Sequence, residues 1–247
     1  MKHLLPLLLF APLLFAQDKK PPEKAEPPRI QYPMPLAVAP GAKVKVILRG
    51  QKLDAVTEVK ASAGTVKLVG KTGRKAGVPN NYPAKKLGDT EVEFELELPK
   101  DFAGEVVELT AVSPGGTSEP YKLTVAKDDV AEKEPNDGFK EAQQLTLPVT
   151  VAGTIGREKD TDVYQFTGKA GQTVTVDAVA AKLGAPTDAL ISLYDGDRRV
   201  IVTADDTDGH PDPTLSVKLA KDGVYYVSVL ESNDLGGPQF GYRLRIK

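Results

Sequence analysis

The chain has no cysteine, no tryptophan and only two histidines among 247 residues. Without thiols there are no disulfides, no thiolate zinc sites and no cysteine nucleophile. His3 falls in the apolar start of the chain, and His210 sits in the turn Asp208-Gly209-His210-Pro211, where it reads as a surface loop residue. A serine triad needs a histidine held between a serine and a carboxylate, and no Gly-x-Ser-x-Gly elbow is present. Phosphate loops, dinucleotide fingerprints and His-rich zinc spacings are missing too. Many acids are present, but no spacing singles out a glycosidase-type pair. The expectation is a protein that is not an enzyme. Aromatics make up 6% of the chain, so a stacking platform for sugar rings would rest on tyrosines such as Tyr225, Tyr226 and Tyr242.

No apolar run is long enough to cross a bilayer comfortably. Residues 4–15 of MKHLLPLLLFAPLLFA follow one lysine and end at the small Ala16. That is the pattern of a secretory signal over 1–16, and with no cysteine behind it a bacterial-type lipid anchor has no attachment site. Residues 17–28, QDKKPPEKAEPP, are dominated by proline and charge and bury too little apolar area to order themselves. They read as a tether, and the expected location is secreted or periplasmic, with no membrane span.

Glycine (22) and proline (20) are plentiful, as turn-rich β architecture requires. In GDTEVEFELELPK, residues 88–100, Val92, Phe94, Leu96 and Leu98 alternate with Glu91, Glu93, Glu95 and Glu97. That is a strand with one buried face and one solvated face. The same period of two recurs over 42–50, 105–113, 121–126, 173–181, 189–195, 199–205, 214–220, 224–231 and 240–247, with turns such as SPGG, YDGD, KDG and LGG between. This spacing predicts an all-β fold of antiparallel sandwiches. The one helical candidate is GFKEAQQL, 138–145, where Phe139, Ala142 and Leu145 share a face and Asn136 or Asp137 supplies a cap. Around 126–131 the chain is charged and non-periodic, so two tandem domains are expected, 29–126 and 127–247.

Charge separates the two halves. Residues 29–126 hold 14 Lys+Arg against 11 Asp+Glu, with only 3 Asp among the acids; residues 127–247 hold 14 against 20, with 15 Asp. Aspartate forms turns and is a short, rigid oxygen ligand, so a cation site belongs in the second half. The segment AEKEPNDGFKEAQQL, 131–145, concentrates Glu132, Glu134, Asn136 and Asp137. Pro135 pushes Glu134 toward extended backbone, where alternate side chains point the same way. Glu132, Glu134 and Asn136 then converge, with Asp137 turning in. Calcium takes six to eight oxygens, and Asp160 and Asp162 of EKDTDVY are the candidates to complete the set. The alternative is an acidic linker with a plain turn and cap at Asn136-Asp137-Gly138.

A second acidic stretch, TADDTDGHPDP over 203–213, fails as an EF-hand. With Gly209 at position 6, Ala204 falls first and Leu215 twelfth, where the loop needs an oxygen ligand and a glutamate; it reads as a β-hairpin loop. The basic stretch 70–89 carries Lys71, Arg74, Lys75, Lys85 and Lys86. A solvated loop is the ordinary reading, and a grip on an acidic glycan or envelope polymer is the functional one. Nucleic acid fits poorly, because no aromatics are interleaved with the charge.

Motifs along the second half resemble those of the bacterial pre-peptidase C-terminal domain. They are Glu134-Pro135-Asn136-Asp137, Gly153-Thr154-Ile155, the run from Asp160 to Phe166, Ala170-Gly171-Gln172, the run from Asp188 to Asp195, Asp205-Asp206, the run from Asp222 to Val227, and Tyr242-Arg243-Leu244. The resemblance implies a small jelly-roll-like sandwich of the kind appended to secreted proteases and other exported bacterial proteins. Calcium-binding members, notably in clostridial collagenases, use a Glu-x-Glu-x-Asn-Asp segment with aspartates from the following strand region. Here that implies Glu132, Glu134, Asn136, Asp137, Asp160 and Asp162. The first half is similar to immunoglobulin-like modules of the filamin/IPT type, on the run from Val46 to Leu53 and the run from Val112 to Ser118. Together these imply an exported binding or structural module, with calcium as its cofactor and an extracellular or envelope polysaccharide or protein as its partner. The alternative is an accessory or chaperone-like partner of a separately encoded secreted peptidase or other hydrolase.

Overall fold

The computed structural model describes residues 26–70, 73–78 and 82–247. The expected signal segment 1–16, the tether up to residue 25 and Lys71 of the basic stretch lie outside the described residues.

The first half forms strands β1 (Arg29–Met34), β2 (Ala37–Val38), β3 (Lys43–Gln51), β4 (Glu58–Ala61), β5 (Thr65–Leu68), β6 (Arg74–Lys75), β7 (Thr90–Glu97), β8 (Val106–Ser113), β9 (Gly116–Thr117) and β10 (Tyr121–Val125). They make two sheets, β1-β3-β7-β5 with β6 on β7, and β2-β10-β8-β4 with β9 on β8. The period-two residues Val46, Leu48, Phe94, Leu96, Leu109 and Leu123 meet between them. Each such burial contributes about 1.5–3 kcal/mol.

The second half forms β11 (Val130–Ala131), β12 (Gln143–Gln144), β13 (Val149–Thr154), β14 (Thr161–Gly168), β15 (Thr173–Val179), β16 (Ala189–Tyr194), β17 (Val200–Ala204), β18 (Thr214–Lys218), β19 (Gly223–Glu231) and β20 (Gly241–Ile246). Its sheets run β11-β13-β20-β15-β18 and β12-β14-β19-β16-β17. The fold is all-β, two sandwiches in tandem. The long strand pairs are antiparallel; β2, β11 and β12 each add a two-residue parallel pairing at a sheet edge. Among the described residues no helix is long and apolar enough to cross a membrane.

Three expectations need correction. The stretch 203–213 is not a hairpin loop, because it leads from β17 to β18 in the other sheet, where β18 pairs with β15. Residues 138–145 are not a helix but a turn followed by β12. Two turns of helix repay nucleation poorly, whereas Gln143 and Gln144 pair with Tyr164 and Gln165 on β14, and the Gln143 side chain bonds the Ala131 carbonyl and the Lys133 N–H. Phe139 instead meets Tyr194 and Tyr226 edge-on, with centroids 5.0 and 5.1 Å away. The glutamate face of β7 is likewise not uniformly solvated. Glu91 is buried between Arg49 (3.3 Å) and Arg74 (2.6 Å), because β3 and β6 pair on either side of it and set those two residues opposite it.

The pairing extends along the basic stretch. Arg74 also meets Glu93, and Lys75 meets Asp54 at 3.2 Å, so these two cations are partnered within their own sandwich. Of the tyrosines weighed for sugar stacking, Tyr225 and Tyr242 are core; only Tyr226 is half-buried.

The sandwiches touch through named groups. Leu36, between β1 and β2, is buried in the second core. Tyr121 Oη donates to the Leu183 carbonyl at 2.6 Å. Gly184, at φ +78°, approaches so closely that a Cβ there would lie 2.3 Å from the Gln31 carbonyl oxygen. The turn carrying Leu183 and Gly184 is held by buried Asp212, whose carboxylate accepts the N–H groups of Ala180, Ala181 and Lys182 at 2.9, 2.7 and 2.9 Å. His210 Nδ1 lies 3.8 Å from the same carboxylate. Asp212→Ala strands three donors and should lower stability by about 3 kcal/mol in urea unfolding. A loss under about 0.5 kcal/mol would mean that water replaces the carboxylate at no net cost.

Candidate metal centre

The six residues singled out in the sequence gather at one end of the second sandwich. Their carboxylates form two overlapping triads, Glu132–Glu134–Asp162 and Glu134–Asp137–Asp160, with one oxygen from each member within 4.8 Å of the others. Asn136 sits among them. Backbone contacts fix the segment: Glu132 N–H donates to the Ala152 carbonyl, and the Asn136 carbonyl accepts Val163 N–H at 2.8 Å. Upstream, Asp129 grips Arg243 of β20 with two bonds of 2.7 and 2.8 Å.

Burial separates the six. Asn136 and Asp162 are 0% exposed and Asp160 is 2% exposed, whereas Glu134 and Asp137 lie at the surface. Glu132 is saturated: Oε1 accepts from Tyr164 (2.7 Å), Tyr242 (2.9 Å) and Asn136 Nδ2 (3.2 Å), and Oε2 accepts Thr154 N–H (2.9 Å). Glu134 Oε2 accepts Asn136 N–H at 3.0 Å. Asp137 is turned outward to Arg157 at 2.8 Å.

Three buried oxygens are left without a hydrogen bond: Asn136 Oδ1, Asp160 Oδ1 and Asp162 Oδ1. Asp160 Oδ1 has only an ion contact, with Arg157 at 3.3 Å. Orphaned buried acceptors are rare and costly, at about 1–3 kcal/mol each. Three of them beside two further carboxylates form a donor set of hard oxygens without nitrogen or sulfur, which suits calcium.

The charge balance agrees. Burial, then the neighbouring Glu132, pushes the Asp162 carboxyl up to about 9. Glu134 is also raised, chiefly by burial and then by Glu132, Asp160 and Asp137. Hydrogen counting gives the same answer for Asp162. Tyr164–Glu132, Tyr164–Tyr242, Tyr242–Glu132 and Tyr242–Asp162 are oxygen contacts of 2.7, 2.6, 2.9 and 2.6 Å. Two hydroxyl protons cannot serve four such contacts, and a proton on Asp162 supplies one more.

Nothing in the sequence ties Tyr164 and Tyr242 to this site. Register does: Tyr164 shares a face of β14 with Asp162, and Tyr242 opposes Gly153, where the absent side chain leaves room for the ring. A Cβ on Gly153 would stand 2.4 Å from Tyr242 Cζ.

A second acidic group, Asp188, Asp205 and Asp206, is also assembled. The antiparallel pairing of β16 and β17 brings the start of one strand to the end of the other, a juxtaposition that reading 203–213 alone misses. Asp188 Oδ1 has no partner, but the group is half-open and is crossed by Ser232 Oγ on Asp205 and Asn233 Nδ2 on Asp188.

Comparison with known proteins locates this end of the molecule. Residues 160–231 match the family model described as bacterial pre-peptidase C-terminal domain. That stretch contains Asp160 and Asp162, whereas Glu132, Glu134, Asn136 and Asp137 precede it. A probable subtilase-type serine protease of Deinococcus radiodurans is 30% identical over 135 residues, 51% of this chain, which spans only 18% of the protease's length. Among solved structures, the pre-peptidase C-terminal domain of a Bacillus anthracis collagenase is 19% identical, covering 47% of this chain and all of that one, at a TM-score of 0.37. PliG of Aeromonas hydrophila, a periplasmic inhibitor of g-type lysozyme, is 19% identical over 49% of this chain and 96% of its own, at a TM-score of 0.30. The second sandwich thus carries, over residues 160–231, the match to the bacterial pre-peptidase C-terminal domain that its motifs resemble.

Proposed function

We propose that this protein is an exported, non-catalytic module of the cell envelope or extracellular space whose second sandwich is stabilised by calcium, and which binds a polysaccharide or protein there. Glu134, Asn136, Asp160 and Asp162 hold the ion through their free oxygens, with Glu132 and Asp137 at the flanks. The ion supplies the positive charge that the clustered carboxylates lack, so that folding and binding become linked. The observation that carries this reading is that Asn136 Oδ1, Asp160 Oδ1 and Asp162 Oδ1, on residues of or beside the two carboxylate triads, are all buried and all without a hydrogen-bond partner.

The test is a thermal melt in EGTA and in millimolar calcium. Calcium at a hundredfold excess over its Kd should raise Tm by about 5–10 °C, and Glu134→Ala and Asn136→Ala should each remove most of that rise. Identical melts in the two buffers would reduce the cluster to a capped acidic linker. Magnesium producing the same rise as calcium would reassign the ion. A second reading draws on the similarity to a subtilase-type protease: the chain serves a separately encoded peptidase as an accessory. Co-purification with a peptidase favours that reading, and retention on insoluble wall polymer favours the first.

A further inference from the structure

A strand with no neighbour on one side presents free N–H and C=O groups that invite pairing with another chain, and charge or proline within the strand discourages it. Among the described residues, every edge strand longer than two residues is guarded in this way except one. Strand β1 carries Arg29 and Pro33, β4 carries Glu58 and Lys60, β5 carries Lys67, and β18 carries Lys218. Strand β17 carries neither charge nor proline. It ends the order β12-β14-β19-β16-β17 with β16 as its neighbour, and it reads Val200-Ile201-Val202-Thr203-Ala204, four β-branched residues in five. Val200 is 58% exposed and Ile201 41%.

The charge that β17 lacks stands at its two ends, with opposite signs. Arg198 and Arg199 precede it, Asp205 and Asp206 follow it, and all four are exposed. Within the chain they are lightly engaged. Arg198 lies over the Phe139 ring at 5.5 Å, Arg199 is 3.6 Å from exposed Asp197, and Asp205 accepts from Ser232 Oγ at 3.2 Å. Two copies of the run RRVIVTADD laid antiparallel about Val202 set the arginines of each opposite the aspartates of the other. Val200 then faces Ala204, and Ile201 faces Thr203. Laid parallel, the same runs would set like charges side by side, which destabilises a sheet. The pairing of β17 with β16 accommodates one extra residue beside Ile201. Because the charges come as doublets, a one-residue shift still sets arginine against aspartate.

We propose that β17 is a self-association edge, through which two copies of this chain pair antiparallel about a two-fold axis at Val202 and join their second sandwiches in one continuous sheet. The same surface serves on both copies, so the assembly closes at two. A five-residue strand buries little area, so the pairing is reversible. The edge belongs to the sheet face away from the first sandwich's sequence and needs no ion at the acid cluster.

Sedimentation equilibrium tests this. The average mass should climb from one copy toward two, and no further, as concentration rises from about 5 to about 500 µM. Val200→Lys, at an exposed position, should keep the protein at one copy throughout. Arg198→Asp with Arg199→Asp sets acid against acid at both ends, and should weaken association about thirtyfold or more. Asp205→Arg with Asp206→Arg should do the same with bases. All four changes in one chain restore opposite charges across the antiparallel pair, and should return the affinity to within about fivefold of the parent. Thermal melts of each variant at low concentration should match the parent, since all these side chains are exposed. One copy at every concentration would leave the edge to a strand of another protein and overturn the proposal. So would growth beyond two copies, association untouched by Val200→Lys, or a four-residue swap that melts like the parent and does not associate.

Discussion

Asp162→Asn is expected to stabilise the metal-free protein and, in the same molecule, to erase its response to calcium. The opposite signs come from one cause. Asp162 is fully buried beside Glu132, so its charged form is penalised wherever no cation is present. Its carboxyl is raised from an ordinary 3.8 to about 9. A carboxyl raised on folding contributes its full stability below about pH 4 and loses it as pH climbs toward about 9. In EGTA the parent should therefore melt lower at about pH 8 than at about pH 5, and Asp162→Asn should flatten that slope. The gain from the substitution at about pH 8 should be about 1–2 kcal/mol, discounted from the full shift because neighbouring groups relax.

Calcium reverses the sense. An ion bound as proposed above competes with the proton on Asp162, so the affinity of the parent should rise with pH across the same window. Melts of both proteins in EGTA and calcium between about pH 5 and pH 8 give all four numbers. An asparagine variant less stable than the parent in EGTA at the upper pH would falsify the charge argument.

Gly153→Ala should cost about 2–4 kcal/mol and take the calcium response with it. The added methyl would stand 2.4 Å from Tyr242 Cζ and 2.5 Å from its hydroxyl. Strand β13 is paired with β20 along its length, so the backbone cannot step aside and the ring must move. Displacing the ring breaks its bonds to Asp162 and Glu132. Gly77→Ala, where an added Cβ meets nothing within 4 Å, is the control and should leave both quantities within about 0.5 kcal/mol. If Gly153→Ala melts like the parent, Tyr242 has a second seat and does not set the acid cluster.

Much of this protein is decided by short-range pattern. The alternation in TEVEFELE on β7 yields a strand whatever its neighbours, because period two admits only one way to bury Val92, Phe94 and Leu96 together. The nine other alternating segments also appear as strands. The oxygen-rich run from Glu132 to Asp137 is local as well, and its residues stay neighbours once folded. Missing cysteine excludes soft metal chemistry without reference to any fold.

Tertiary structure decided what depends on distant partners. Residues 138–145 have a helical pattern, yet pairing with β14 and the embrace of Phe139 by Tyr194 and Tyr226 outweigh two turns of weak intrinsic helix. Glu91 alternates like a solvated residue and is buried because pairing with β3 and β6 sets Arg49 and Arg74 on either side of it. Strands β13 and β14 show little alternation: β14 places Asp162, Val163 and Tyr164 consecutively inside, one facing the acids and the next the opposite face. The hydroxyls that saturate Glu132 come from Tyr164 and from Tyr242, which is 110 positions away. Sequence spacing carries no signal for such a meeting, since strand register between sheets, not chain proximity, sets it. The side chains that offer oxygens are therefore readable along the chain. Which of those oxygens remain unpaired was settled only when β14 and β20 closed around them.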